Sequence, residues 1–283
     1  MRLVTFKVGG GASQVGVAVG NEVAGFGGSN FPDMISFLSA GNAAMTVAEK
    51  IHRGESKPSA KHHLEKVTLL APVTRPGKII AVGLNYRDHA VETKMDIPES
   101  PVLFAKLPNS INGPDTAVVL PEGDPQGDYE AELAVVIGRT TKSVSEADAM
   151  NSIVGYMPLN DVSARRWQFA DKQWVRGKSC DTFCPTGPWL TTRDAVPDPH
   201  SLAIRMRVNG NTVQDSNTSN LIFRIPALIA FISAAITLEA GDIIATGTPA
   251  GVGVFRKPPV FLKPGDVMEV DIEGLGVLRN HVV

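Results

Sequence analysis

The chain has 283 residues, 43% of them hydrophobic and 20% charged, with a formal net charge of −2. This length accommodates one large domain or a small one beside a medium one, and the composition excludes a disordered chain. The near-zero charge excludes a global basic field that would draw the protein to nucleic acid or anionic lipid.

The start, MRLVTFKVGGG, has one Arg and no long apolar run, so it is not read as a secretory signal, and a cytoplasmic location is the default expectation. The longest apolar stretch, residues 225–241, is too short to span a bilayer and reads as a buried helix over Ile225–Leu238, between Pro226 and Gly241. No membrane role is expected. The two cysteines, Cys180 and Cys184, are spaced C-x-x-x-C with no matching Cys or His pair after them. They read as free thiols in a reducing compartment rather than a disulfide framework or a zinc site.

Residues 1–28 read as short strands with glycine turns: RLVTFKV, QVGVAVG and EVAGF. Helices are predicted over 32–40 and 42–54, the second with Asn42 as N-cap and Gly54 at its stop. Residues 55–66 are polar and punctuated, and read as a linker with a solvated His62–His63 pair. From Val67 the texture changes to nine short apolar runs separated by Gly/Pro turns, from KIIAVG to GVLRNHVV, and VNGNTVQ carries an Asn-Gly hairpin signal. Helices are predicted near 86–94, 145–152, 163–169 and 225–238 only. Strands outnumber helices and no βαβ alternation appears, which argues against a Rossmann fold or TIM barrel and for an α+β, mainly β, chain. The expected division is a small N-terminal α/β domain over 1–70 and a larger, mainly β domain over 71–283. No 20–50-residue repeat is present. GGGASQVG and GTPAGVGVF fit neither the dinucleotide nor the P-loop pattern, and read as tight turns.

The stretch GDYEAELAVVIG, residues 127–138, places Glu130 and Glu132 two apart at the head of an apolar strand, hence on one face. Like charges so placed repel unless something positive sits between them. The run Leu133–Ile137 is apolar on both faces and speaks against an edge strand with both groups in water. An acid/base dyad, or a hard dication held by oxygens, remains; magnesium or manganese suits carboxylate ligation better than zinc. Such an ion wants a further carboxylate. Asp161, where GYMPLND leaves a strand, is the candidate, with a helix N-cap as its alternative role. In VGLNYRDHAVE, His89 and Glu92 stand at i and i+3, a spacing that lets the carboxylate orient the imidazole as a general base, although a surface histidine with a helical neighbour has the same pattern. Lys178, in WVRGKSCDTFCPTGPW, is either a lone surface lysine or a point charge for a carboxylate or enolate oxygen.

Taken together, VGLNYRDHAVE, PVLFAKLPNS, DYEAELAVVIG, NDVSARRWQ, GKSCDTFCPTGPW and ATGTPAGVGVFRKPP resemble the fumarylacetoacetate hydrolase family, in family order from about Lys78 to Val283. The short H-x-x-E form is similar to the smaller acylpyruvase and oxaloacetate decarboxylase–tautomerase branch rather than to fumarylacetoacetase itself, which has a much longer N-terminal domain. The resemblance implies a mixed β-roll catalytic domain, a homodimer, and a divalent cation, usually Mg2+ with Mn2+ as an alternative. It implies Glu130, Glu132 and Asp161 as metal ligands, His89 with Glu92 as the base pair on a lid-like helix, and Lys178 as a catalytic cation. Gln168 and Thr248 match positions that contact the substrate's carboxylate and oxo groups; Arg87 and Lys106 are candidates for a distal acidic group. The implied substrate is a small 2-oxo acid, an acylpyruvate or 2,4-dioxo acid, activated as an enolate. Hydrolysis of a C–C bond is the favoured outcome. Oxaloacetate tautomerisation or decarboxylation is the alternative, and a non-catalytic, metal-stabilised dicarboxylate binder is the reading from a different class.

Overall fold

The structure is a computed structural model that describes residues 1–27 and 31–283. Gly28, the last residue of the first predicted stretch, lies outside the described residues. All nine apolar runs form strands, and two sheets dominate. The larger has eleven strands, whose central members are Leu190–Thr192, Ile153–Asn160, Ala131–Ile137, Ile243–Ala245 and Ile79–Gly83. The smaller runs in the order Asn211–Asn217, Ala203–Val208, Val267–Ile272, Gly276–Val282, Ala117–Val118. The N-terminal strand Arg2–Lys7 pairs with Leu190–Thr192, so the larger sheet runs across residue 70. The architecture is α+β and mainly β.

Alternation along Ala131–Ile137 explains its apolar composition. Leu133, Val135 and Ile137 enter one core with Met206, Val270 and Leu278 of the smaller sheet. Ala134 and Val136 enter a second core with Phe37 and Ala48 of the helices Met34–Ser39 and Gly41–His52. Both faces are covered, and each fully buried large side chain contributes about 1.5–3 kcal/mol. Glu130 and Glu132 share the phase of Ala134 and Val136, one turn of the pleat beyond them.

Three local expectations change. Residues 60–63 of the expected linker form an edge strand paired with Glu22–Gly25. Its Lys61 and His63 are exposed while Ala60 and His62 are half-buried, so a charged edge strand looks like a linker in composition. Asn42 is not an N-cap: the helix starts at Gly41, whose φ of +62° turns the corner from the preceding helix. The helix predicted to reach Leu238 ends at Ala235, because Leu238 leaves it to bridge Thr141.

Candidate active site

Strand register assembles the carboxylates. Ala131–Ile137 pairs antiparallel with Ile153–Asn160, with Ala131 opposite Asn160. One residue further, the Asp161 N–H donates to Glu130 O at 2.9 Å. Asp161 is therefore set beside Glu130 by backbone pairing, and it caps no helix: the helix Arg165–Ala170 has Ala164 at its N-cap. One carboxylate oxygen from each of Glu130, Glu132 and Asp161 lies within 4.8 Å of the others. The third wall comes from Gly247, whose N–H donates to Glu132 Oε2 at 2.8 Å. Gly247 has φ +105°, and a Cβ there would stand 2.8 Å from that of Asn85, so only glycine serves.

Buried cations surround this group. Lys178 Nζ bridges Glu130 Oε2 at 2.7 Å and Asp161 Oδ2 at 2.8 Å. Arg165 joins Glu130 Oε1 at 2.7 Å and Asp128 Oδ2 at 2.8 Å. Lys106 Nζ lies 2.6 Å from Asp161 Oδ1, an ion pair without hydrogen-bond alignment, and donates to the carbonyls of Val162 and Lys178. Four buried carboxylates (Asp128, Glu130, Glu132, Asp161) thus meet three buried cations (Lys106, Arg165, Lys178). The unmatched acid is Glu132. Burial, then the negative charges of Asp161 and Glu130, holds its carboxyl well above the usual range. Burial pushes Glu130 the same way, but the Lys178 and Arg165 charges outweigh it and leave its carboxyl below the ordinary value.

His89 lies on the helix Arg87–Thr93, with Nδ1 2.9 Å from Glu92 Oε2. The other Glu92 oxygen accepts from the Gly251 N–H at 2.9 Å. Asp88 anchors the same helix to the smaller sheet by accepting from the Ser216 hydroxyl. The Phe255 ring stands 5.8 Å from the His89 ring.

Between the carboxylates and this helix lies a cavity of about 190 Å³. Its wall includes Glu130, Glu132, Lys178, Gln168, Thr248 and His89, with Phe104, Phe169, Trp174, Phe255 and Met95 supplying apolar surface. Drug-sized ligands fill about 300–1,000 Å³, so this cavity suits a molecule of a few carbons. Six of the ten residues singled out in the sequence line this cavity, and Asp161 and Glu92 stand behind them, bonded to Lys178 and His89. Gln168 Oε1 accepts from Arg165 at 2.9 Å, and Thr248 Oγ1 donates to Ala131 O at 3.0 Å. Lys106 stands behind Asp161 rather than in the cavity wall, and Arg87 is exposed outside it. Neither lines the cavity.

Arg165 and Asp128 were not singled out from the sequence. Asp128 continues the two-residue spacing of Glu130 and Glu132, and Arg165 stands three before Gln168 on a helix; both spacings were signals. Asp128 accepts from Gly253 N at 2.8 Å and Val254 N at 3.0 Å, and so ties the carboxylate strand to the loop behind His89.

The donor chemistry fits a hard dication. All three groups are carboxyl groups, their oxygens spread little more than the roughly 4 Å across an octahedral magnesium, and one of these buried acids, Glu132, lacks a protein cation.

The fumarylacetoacetate (FAA) hydrolase C-terminal family matches residues 78–283. An oxaloacetate tautomerase, fahd2, mitochondrial, of Xenopus laevis is 49% identical over 88% of this chain and 78% of its own length. A 2,4-didehydro-3-deoxy-L-rhamnonate hydrolase of Sphingomonas sp. is 49% identical over 75% of each chain. Among solved structures, maleylpyruvate hydrolase from Sphingobium sp. SYK-6, in complex with manganese(II) ion and pyruvate, superposes with a TM-score of 0.83 at 35% identity, covering 100% of this chain and 99% of that one. With the matched segment spanning the whole carboxylate site, the chain belongs to the fumarylacetoacetate hydrolase family of enzymes.

Proposed function

We propose that the protein is an oxaloacetate keto–enol tautomerase. The observation that carries this reading is the 49% identity to the Xenopus laevis tautomerase across 88% of the chain. The roughly 190 Å³ cavity, of a size for a four-carbon diacid, supports it. The order of the two readings favoured from the sequence is thereby reversed, with tautomerisation ahead of C–C hydrolysis.

In this proposal Glu130, Glu132 and Asp161 hold Mg2+ or Mn2+, which when bound supplies Lewis-acid polarisation of the substrate's oxo group. Lys178 offsets negative charge developing on the substrate oxygens. Gln168, whose Oε1 is taken by Arg165, orients the carboxylate end through its amide N–H, beside Thr248 in the same wall. The hydrogen bond between His89 Nδ1 and Glu92 assigns the ring proton to Nδ1 and leaves Nε2 as the base. His89 Nε2 takes a proton from C3 of the keto acid, and the imidazolium so formed returns it to the enolate oxygen to give the enol, leaving His89 neutral. The apolar wall from Phe104, Trp174 and Phe255 limits water at the carbon, which keeps the enolate from other fates. The implied homodimer is part of the same proposal, and sedimentation velocity tests it.

The test is to follow loss of enol absorbance on mixing the enol form of oxaloacetate with the protein and magnesium, while assaying pyruvate and carbon dioxide. Accelerated ketonisation without carbon dioxide supports the tautomerase. Release of carbon dioxide identifies a decarboxylase instead. The 49% identical rhamnonate-pathway relative named above favours a second reading, hydrolysis of a 2,4-dioxo acid. Turnover of acetylpyruvate to pyruvate and acetate, with none of oxaloacetate, would establish it. Magnesium-dependent binding without turnover of either would leave the non-catalytic binder.

A further inference from the structure

The smaller sheet sends one side chain into the active-site strand. In Asn211–Asn217, Gln214 is the only fully buried position, 1% exposed, where a strand ordinarily places an apolar residue. The pairing with Ala203–Val208 slips at this point: Met206 faces Gln214 but Arg207 faces Thr212, so Val213 is an extra, bulged residue. Bulges of this kind re-aim a neighbouring side chain and occur beside active sites. Gly251 is packed so tightly on the bulge that a Cβ there would overlap Val213 O.

The re-aimed carboxamide closes a ring on the peptide between the two glutamates. Gln214 Oε1 accepts from Ala131 N at 2.9 Å. Its Nε2 donates to Thr248 Oγ1 at 2.8 Å and to Pro249 O at 2.8 Å. Thr248 Oγ1 in turn donates to Ala131 O at 3.0 Å. The amide has one orientation only, because a flip would set its oxygen against Pro249 O and its N–H against the Ala131 N–H. The ring covers the strand edge that the next strand leaves bare: pairing with Ile243–Ala245 reaches only to Ala134. Ala131 is fully buried, so water does not substitute.

We propose that Gln214 is a positioning residue that sets the spacing of Glu130 and Glu132 by fixing both sides of the Ala131 peptide. This rests on the metal-ligand role given to the two glutamates above, but not on oxaloacetate as substrate. A residue that orients metal ligands typically carries about 10–100-fold in metal affinity.

The experiment is a Mn2+ titration of the full-length protein, read by the electron paramagnetic resonance of free ion, with thermal unfolding in parallel. Gln214→Met keeps the side chain's volume and removes its hydrogen bonds. It is expected to weaken Mn2+ binding about 10–100-fold. Thr248→Val should weaken it comparably, Thr248→Ser should retain affinity, and the double variant Q214M/T248V should be no weaker than either single change, since both open the same ring. Wild-type Mn2+ affinity in Gln214→Met, whatever its melting temperature, overturns the inference. Should that variant fail to fold, wild-type affinity in Thr248→Val, or equal losses in Thr248→Ser and Thr248→Val, overturns it instead. Ring-dependent Mn2+ affinity in a protein that leaves oxaloacetate unchanged would refute the tautomerase and leave this inference standing.

Discussion

The floor and the rim of the cavity are built differently. The floor carries Glu130, Glu132 and Asp161 on or beside strands of the larger sheet, and Lys178 and Arg165 reach them from the short helices Val175–Lys178 and Arg165–Ala170; each of the five is 6% exposed or less. Every one is held by at least one ion pair or backbone hydrogen bond. The rim carries the base on a seven-residue helix with no side-chain cap, next to Val91 at 79% and Met95 at 59% exposure. A helix that short is marginal without tertiary support; its ties are Asp88 to Ser216 and Glu92 to Gly251. The difference separates two demands. Charged groups buried together must be held in a preorganised lattice, whereas a base needs orientation more than burial.

This contrast predicts that rim substitutions change rate and spare stability, while floor substitutions change both. The largest expected effect is at the rim: His89→Gln should lower turnover by about 10²–10⁴, as for loss of a general base, with an unchanged melting temperature. A variant of near wild-type rate would take the base role from His89. Next comes the floor. Lys178→Met leaves Glu130 and Asp161 facing each other without their shared cation, and chemical denaturation should show a loss of about 3–5 kcal/mol in metal-free protein. An equally stable variant would mean the floor is wetter than its burial indicates. Glu132→Gln should act in the opposite sense. It removes a carboxyl that burial and its acidic neighbours hold above its ordinary range, so metal-free protein should melt on the order of a few degrees higher at neutral pH, while magnesium no longer raises the melting temperature.

The smallest effect lies outside the site. His200 Nε2 accepts from the Ile225 N–H at 3.2 Å, at the start of the helix Ile225–Ala235. Burial, then the Arg224 charge, holds its imidazole below the ordinary 6.5. The unfolded chain therefore takes up this proton first as the solution is acidified. The stability contributed by the neutral ring is present above about pH 6.5 and is lost as pH falls through the lower folded value. His200→Gln should flatten that part of the melting profile between about pH 7 and pH 5; a profile identical to wild type would show that the ring titrates alike in the folded and unfolded chain.

Much of the floor is legible in the sequence. The run Leu133–Ile137, apolar on both faces, announces a doubly covered strand, and two acids heading it require a compensating charge. That reasoning led to Asp161, and the register between Ala131 and Asn160 supplies the physical cause. Arg165 was harder to see, because beside the exposed Arg166 nothing in composition marks which arginine is buried. Lys106 shows the converse: the family resemblance pointed to it, but only packing sets it behind Asp161 rather than in the cavity. The edge strand Ala60–His63 escaped because one face meets solvent and its partner, Glu22–Gly25, lies about forty residues earlier in the chain.

By itself the amino-acid order determined the strands, their covered faces, the acidic spacing and the His89–Glu92 pair, since each depends on neighbours within a few residues and on periods of two or three to four. Tertiary structure alone decided which cation answers which carboxylate, that Glu132 is left without one, and that a bulge at Val213 turns Gln214 onto the Ala131 peptide. Those outcomes depend on distances between segments tens of residues apart, and electrostatic energy in a buried site is set by such distances rather than by position along the chain.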